Sequence, residues 1–546
     1  DLVRSRGLGD VYKRQTPSEA STAAPVVRGS RLEDVLGFLL ATVLGLTSLV
    51  LPFGRDQGLY FYVGREWALR GSVPYRDIFD HKTPGIYVIH ALSVLVFGER
   101  QWGIRVFDFL AVLGIGAVMA LLTVPRGESV PKGVFGRSMV LTALLHYGFL
   151  NWWDSAQSEI YFALLGCLAI LFARRFDATK PGLVFFVGLF SGLAVLMKPP
   201  SAWLVLFALV LLVGRMRDAN SEKRDYAKAL ALVGIGGALP IALTLAYFAS
   251  KGALEAMRDI VVGANGYYVS HEHAKNPLAD GFDGIQGYLA YYAPLSQMLL
   301  GGAIALYLVA RKAGNAASIA RYRMALGLFV ACTACVAMQM KFYLLHWTAV
   351  IPAFVLLGLE IAADVSSALR EKGFSERSAK AWPWVLVLSA FFLSPAGRRF
   401  VEQQLAVAKY LRGEDTRQWY LGRYSFAPTK FDYAASEWVG DYLREHTTED
   451  EPVLVRGFQP EVYAVAHRRY PGRFFWTQFL TNPNRAYRHE AYLAEDLEAF
   501  RKARPRYVVA RHDGPEVNVD HPDYYLPLGY RIEVERGDFV ILRLVP

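Results

Sequence analysis

For most of its length the chain alternates long apolar blocks with short polar stretches. Blocks nearly free of charge fall near 34–53, 104–124, 138–153, 159–173, 183–197, 200–214, 229–249, 293–310, 324–340, 346–363 and 382–397. An α-helix rises about 1.5 Å per residue, so blocks of about 15 to 22 residues approach the thickness of a bilayer core, about 30 Å. The pattern predicts a polytopic α-helical membrane protein. One further apolar stretch, 85–97, is too short to span and predicts a re-entrant or interfacial helix.

After Arg398 the character changes to ordinary polarity. "PVLVRG", "RYVVARH" and "YRIEVERGDFVILRLV" are rich in Val, Ile and aromatics and predict strands. "FDYAASEWVGDYLREH" and "AYLAEDLEAFRKA" have the spacing of amphipathic helices. Residues 398–546 are therefore expected to form a small soluble α/β domain, acting as a lid or as a scaffold for binding an acceptor. At the other end, residues 1–33 are expected to lie outside the fold. "DLVRSRGLGDVYKRQ" is unlike the rest of the chain and resembles translated adapter read-through, and 16–30 is rich in Ser, Thr, Ala and Pro.

Charge orients the spans. With the N-terminus in the cytoplasm and 85–97 not crossing, the inner loops collect Arg126, Lys132 and Arg137; Arg174, Arg175 and Lys180; Arg215, Arg217, Lys223, Arg224 and Lys228; Arg311, Lys312, Arg321 and Arg323; Arg370, Lys372, Arg377 and Lys380. The opposite loops carry few basic residues for their length, which is the positive-inside bias. Crossing at 85–97 would reverse it. The expectation is eleven spans in a domain over 34–397, with the first outer loop at 54–103 and the C-terminal domain also outside, in a bacterial inner membrane. The net charge of +10 sits between apolar blocks rather than along one face, which argues against nucleic acid as a partner. Cys167, Cys332 and Cys335 all lie within apolar blocks. The C-x-x-C spacing lacks the further ligands that a metal site needs, and reads as two small residues one helical turn apart.

The candidate chemistry gathers in the outer loops. The first reads "FGRDQGLYFYVGREWALRGSVPYRDIFDHKTPG", with Asp56 just past the first span and Arg76, Asp80, His81 and Lys82 ahead of the short apolar helix. The second, "NWWDSAQSEIYF", contributes Asp154 and Glu159, and "VLMKPPSAW" contributes Lys198. Each has a plain alternative: interfacial solvation for the loop charges, a favourable helix dipole for Glu159, and snorkelling for Lys198. "MKFYLLHW" places Lys341, Tyr343 and His346 ahead of a span, where an aromatic belt explains the rings equally well. "SHEH", with His271, Glu272 and His273, has too few ligands for a metal site. No P-loop or G-x-G-x-x-G at a strand–helix junction points to a nucleotide.

The order of these features, a carboxylate after the first span, then "GSVPYRDIFDHKTP", then a short aromatic-aliphatic helix, resembles the first external loop of the GT-C glycosyltransferases, in particular the protein mannosyltransferase and aminoarabinose transferase group. That group usually has Asp-Glu where this chain has Asp56-Gln57, and His-Lys-Pro-Pro where it has His81-Lys82-Thr83-Pro84. The resemblance implies a GT-C-like fold and transfer of a sugar from a polyprenyl-phosphate donor to an outer acceptor: a glycolipid, an envelope glycan or a protein hydroxyl. A lipid phosphate is a good leaving group, so the site needs positive charge for the phosphate more than a general acid. Lys82, His81, Arg76 and Lys198 are the candidates. The attacking hydroxyl needs a base. Asp56 is the first candidate, with Glu159 and Asp154 as further catalytic carboxylates. Attack from the face opposite the leaving group inverts the anomeric centre. No metal ligands are assigned, and a divalent metal is kept open as the cofactor. The alternative class is a transporter or flippase for an amphipathic solute, which would predict internal repeats and mid-span ionisable groups.

Overall fold

The computed structural model describes residues 30–149, 152–177, 179–271, 276–426, 431–482, 487–512 and 518–545. The tail expected at 1–33 lies almost entirely outside the described residues. The first helix, α1 (Arg31–Leu46), starts where Ser30 caps it: its side chain accepts from the backbone N–H of Glu33, and Glu33 reaches back to the N–H of Ser30. Next in the chain are α2 (Arg55–Arg70), α3 (Pro84–Phe97), α4 (Trp102–Leu122), α5 (Val134–Phe149), α6 (Ser158–Arg174), α7 (Val184–Met197), α8 (Ala202–Asp218) and α9 (Lys223–Ser250). The short α10 (Leu254–Arg258) and α11 (Asn265–His271) lead to α12 (Pro277–Tyr291), α13 (Leu295–Lys312), α14 (Ala316–Ala337), α15 (Ile351–Glu371), α16 (Glu376–Leu393) and α17 (Pro395–Leu411).

Every expected apolar block falls on a helix. Among the described residues six helical stretches are long and apolar enough to cross a membrane, and eight if the bent pairs α12–α13 and α16–α17 each count as one span. An eleven-span reading needs α5, α6 and α7 to cross as well, and at 16, 17 and 14 residues they are short for that. The chain bends by 77° between α16 and α17, so the domain boundary expected at 397/398 falls inside α17. Lipid-facing residues such as Leu243, Val330 and Leu393 are exposed, whereas α15 is buried along most of its length. α7 and α9 approach through glycines. A Cβ on Gly188 would collide with the carbonyl oxygen of Val233, and one on Gly236 would collide with that of Phe185. Small residues are the usual means of bringing helices together where lipid removes the hydrophobic drive.

The C-terminal domain carries the expected strands and helices. After α18 (Arg417–Gly422) come β1 (Ser425–Phe426) and β2 (Phe431–Asp432), α19 (Tyr433–His446), β3 (Leu454–Val455), α20 (Pro460–Ala466), α21 (Gln478–Thr481), α22 (His489–Ala503), β4 (Tyr507–Arg511), β5 (Tyr530–Arg536) and β6 (Phe539–Leu544). Strands β3, β4, β6 and β5 form one sheet in that order, with β3 parallel to β4 and the other pairs antiparallel. β4 is buried throughout, while β5, at the edge, is mostly exposed.

This domain grips the first outer loop rather than standing apart from it. Phe79 donates its N–H to the carbonyl of Arg473 (2.8 Å), and Trp476 Nε1 donates to the Phe79 carbonyl (3.2 Å). The Phe79 ring lies among Phe474, Phe479 and Tyr492. Arg65 on α2, 1% exposed, donates to the carbonyls of Tyr463 (2.9 Å) and Arg468 (2.6 Å) and to the Glu66 carboxylate. Arg65→Ala strips partners from a buried carboxylate and two carbonyls, with an expected cost of about 3–5 kcal/mol. Limited proteolysis should cut the segment beyond α17 faster in this variant than in the wild type, with Arg65→Lys in between.

Candidate active site

Two turns and three helix ends build the site. α2 begins at Gly54, and its first turn is locked by the side chain three residues on. Gln57 is fully buried. Its Oε1 accepts from the N–H of Gly54, and its Nε2 donates to the carbonyls of Trp152 (2.9 Å), Trp153 (3.2 Å) and Ser155 (2.5 Å). Only an amide can do both, because a carboxylate at this position would face three carbonyls with no donor. The residue that departs from the family's Asp-Glu is thus the clamp between α2 and the second outer loop. Arg105, buried near the start of α4, holds the same turn from the other side through the carbonyls of Pro52 (2.8 Å) and Trp152 (3.0 Å) and the Ser155 hydroxyl. Asp108 accepts from the N–H of Ala156 (2.9 Å) and pairs with His146 of α5 (3.0 Å).

The "DHKTP" turn is held by its own residues. Asp80 accepts from the backbone N–H of His81 (2.8 Å) and from the Tyr87 hydroxyl, and its Oδ1 lies 3.1 Å from the His81 ring Nδ1. The His81 ring also lies against Tyr268 and against Phe479 of the C-terminal domain, and Asn265 donates to its carbonyl (2.5 Å). Pro84 sets the start of α3. The Thr83 hydroxyl donates to the carbonyl of Met197 (2.7 Å), and Gly85, lacking a Cβ, lets the first turn of α3 rest on the carbonyl of Leu196. These contacts bring Lys82 beside Lys198, which comes directly after α7.

The resulting cluster is strongly charged. Glu159, in the first turn of α6, forms an ion pair with Lys198. Lys82, Lys198, Asp80 and Glu159 all act electrostatically on Asp56. Burial raises the Asp56 carboxyl above its usual value; Lys82 and Lys198 oppose the rise, and Asp80 and Glu159 add to it. Burial and the Asp56 charge together push Asp154 up to about 7, while Arg399 acts in the other direction. Burial lowers Lys198, against the pull of Glu159. His346 lies within reach of the Lys198, Lys82 and Lys341 charges, and Lys341 sits 3.1 Å above the Tyr268 ring. Among the described residues neither the Asp56 carboxylate nor the Lys82 ammonium has a hydrogen-bond or ion-pair partner within the protein. A half-buried carboxylate with free lone pairs thus stands beside two lysines, an arrangement able to take a proton and to neutralise an anion.

Asp56, Asp154, Glu159, Lys82 and Lys198 are brought together, with His81 at the margin. Arg76 is not brought in. Its guanidinium forks onto Asp77 (2.8 Å to each oxygen) and bonds the carbonyl of Lys251 at the surface. His271 turns back onto the Tyr267 carbonyl (2.9 Å), and Glu272 and His273 lie outside the described residues. Among the described residues no three His, Cys, Asp or Glu side chains converge to hold a metal ion. Arg105, Asp108 and His146 carry no loop motif, and sequence reasoning passed over them. Their signal is an ionisable residue inside an apolar block, which is rare unless it has a partner.

Residues 81–243 match the family model of dolichyl-phosphate-mannose-protein mannosyltransferases. The fold is shared with two crystal structures of ArnT from Cupriavidus metallidurans, one bound to undecaprenyl phosphate and one in the apo state. Each is 16% identical to this chain, with TM-scores of 0.58 and 0.54. The matches cover 94% of this chain and 98% and 97% of the ArnT chains. No curated protein matches it in sequence. The chain therefore has the polytopic helical fold, with a C-terminal α/β domain, that its sequence led one to expect.

Gln57→Glu tests the clamp. Replacing the amide by a carboxylate costs the donors and buries a charge, an expected loss of about 2–5 kcal/mol. Thermal unfolding in detergent should place Gln57→Glu below Gln57→Ala, which leaves carbonyls unmet but adds no charge.

Proposed function

We propose that this integral membrane protein is a GT-C glycosyltransferase that moves a sugar from a polyprenyl-phosphate donor to an acceptor on the outer side of the membrane. The observation that carries the reading is the partner-free Asp56 carboxylate beside Lys82 and Lys198. The match to the mannosyltransferase family model and the fold shared with an undecaprenyl phosphate-bound transferase support the same chemistry.

In this reading Lys82 and Lys198 hold the donor phosphate and neutralise the charge it gains as the sugar–oxygen bond breaks and the electron pair moves onto the phosphate. The acceptor hydroxyl attacks the anomeric carbon from the opposite face and gives its proton to Asp56, so the configuration inverts. Glu159 keeps Lys198 charged and pointed into the site. His81, turned by Asp80, lines the phosphate pocket with Phe479 behind it. Asp154 titrates near neutrality, and holding its proton spares Asp56 a second adjacent anion. Arg76, spent on Asp77, drops out of the phosphate-binding set. The basic loops at the far ends of the helices support an inner membrane setting of bacterial type, with the N-terminus inside and the C-terminal domain outside. The sugar is a hexose or pentose. The structure offers nothing that favours the transporter alternative.

Asp56→Asn should lower kcat by about 10²-fold or more in a transfer assay with a polyprenyl-phosphate sugar, because general-base catalysis of this kind contributes about 10²–10⁴. An unchanged rate in folded protein removes Asp56 as the base. The rate should rise with pH as Asp56 loses its proton. Lys82→Met removes the positive charge that most strongly opposes the rise in the Asp56 pKa, and so raises it further. The acid limb of the kcat/KM profile should therefore move to higher pH.

A further inference from the structure

A cavity lies at the opposite end of α6 from the Asp56 cluster. α6 runs from Glu159 in the transfer site to Arg174, about 22 Å away at 1.5 Å per residue, and Arg174 lines a cavity of about 420 Å³. The ends or flanks of α4, α5, α6, α8, α14, α15 and α16 enclose it. Apolar walls come from Leu211, Met324 and Trp384, and five arginines, Arg126, Arg137, Arg174, Arg215 and Arg321, line it against three carboxylates.

The arginines are unequally matched. Arg126 pairs with Asp177, Arg137 with Glu33, and Arg321 with Glu360 (2.7 Å) and Asp364 (2.5 Å). Arg174 has no carboxylate within ion-pair distance among the described residues and donates to the carbonyl of Leu122. Arg215 reaches only Asp218, at 4.0 Å, among the described residues. Glu360, already paired with Arg321, also attracts Arg174, while Arg215 and Arg175 repel it, and Nε of Arg321 is buried without a partner. Two under-compensated guanidiniums over an apolar chamber need an anion with an apolar tail. Beside Trp384 on α16, Trp382, Val385 and Leu386 are exposed toward the surrounding lipid, so an acyl chain can reach the chamber from the bilayer. Basic pockets between spans are a known way to hold anionic headgroups.

We propose that this cavity binds the phosphate headgroup of an anionic phospholipid from the leaflet at that end, separately from the transfer site. The bound lipid supplies the missing counter-charge to Arg174 and Arg215 and ties α6, α8 and α14 together.

The test is thermal unfolding of the full-length protein in neutral detergent, titrated with phosphatidylglycerol, phosphatidylcholine or inorganic phosphate. Phosphatidylglycerol should raise the apparent Tm saturably, and the other two should not. Arg215→Gln, at an exposed helix end, should need about fivefold more phosphatidylglycerol for half the effect, since one arginine near a lipid surface contributes about that factor. Ala320→Phe, which fills the chamber from an exposed lining position without changing charge, should weaken the effect as well. The proposal falls if phosphatidylcholine stabilises equally, if both variants titrate like the wild type, or if inorganic phosphate alone reproduces the shift.

Discussion

A backbone turn buried between helices must have its carbonyls met by side chains, because neither water nor lipid will meet them. The turn at 152–157 is under that constraint, and the candidate site depends on how it is satisfied. Gln57 and Arg105 share its carbonyls, and Asp108 takes the N–H of Ala156. One consequence is that α2, α4 and α6 meet at a fixed point. Another is that Asp154, within the turn, and Glu159, just beyond it at the start of α6, are both presented to Asp56. A third is that Asp56 itself carries none of the structural work, so its oxygens stay free.

The second support comes from the C-terminal domain. The first outer loop is packed on both sides, by α7 and by the C-terminal domain. Thr83 and Gly85 fasten it to the end of α7, while Phe79 and Arg65 fasten it to α20 and the loop after it in the C-terminal domain. The C-terminal domain therefore supports the site through the backbone of the "FDHKTP" turn. Its aromatics also form one wall beside His81. Charge is divided the same way: Asp80 and Glu159 are taken up in holding His81 and Lys198, whereas among the described residues Asp56 and Lys82 have no such partner.

Much of this was legible in the chain. The apolar blocks mark most helices of the membrane region, since a segment that excludes charge for four or five turns has no other stable form in lipid; α2 and α12 fall outside them. The alternating Val, Ile and aromatic runs after 450 mark β4, β5 and β6. The charged stretch before "TPGIYVIH" singled out Asp80, His81 and Lys82, and the short run after it is α3, as its length implied. Less was legible where function depends on pairing. Arg76 looked as available as Lys82, and only its fork onto Asp77 separates the two. Gln57 looked like a lost carboxylate and is a clamp. Arg105 and Asp108 lie one turn apart on α4, but His146 is on α5, 38 residues further along, and no sequence spacing betrays that pairing.

By itself, the sequence determined what is local or additive: which segments exclude water, where prolines and caps start helices, which loops carry charge, and that a carboxylate and a lysine lie in the first outer loop. Periodicity and composition act over a few turns of chain, so they can be read from the order of residues alone. The tertiary structure decided which charges are spent and which are free. Lys198 and Glu159 are 39 residues apart, Gln57 and Ser155 are 98 apart, and Arg65 and Arg468 are 403 apart. Neutralisation and hydrogen bonding depend on distances of a few ångströms in space, and those distances exist only once the helices have packed.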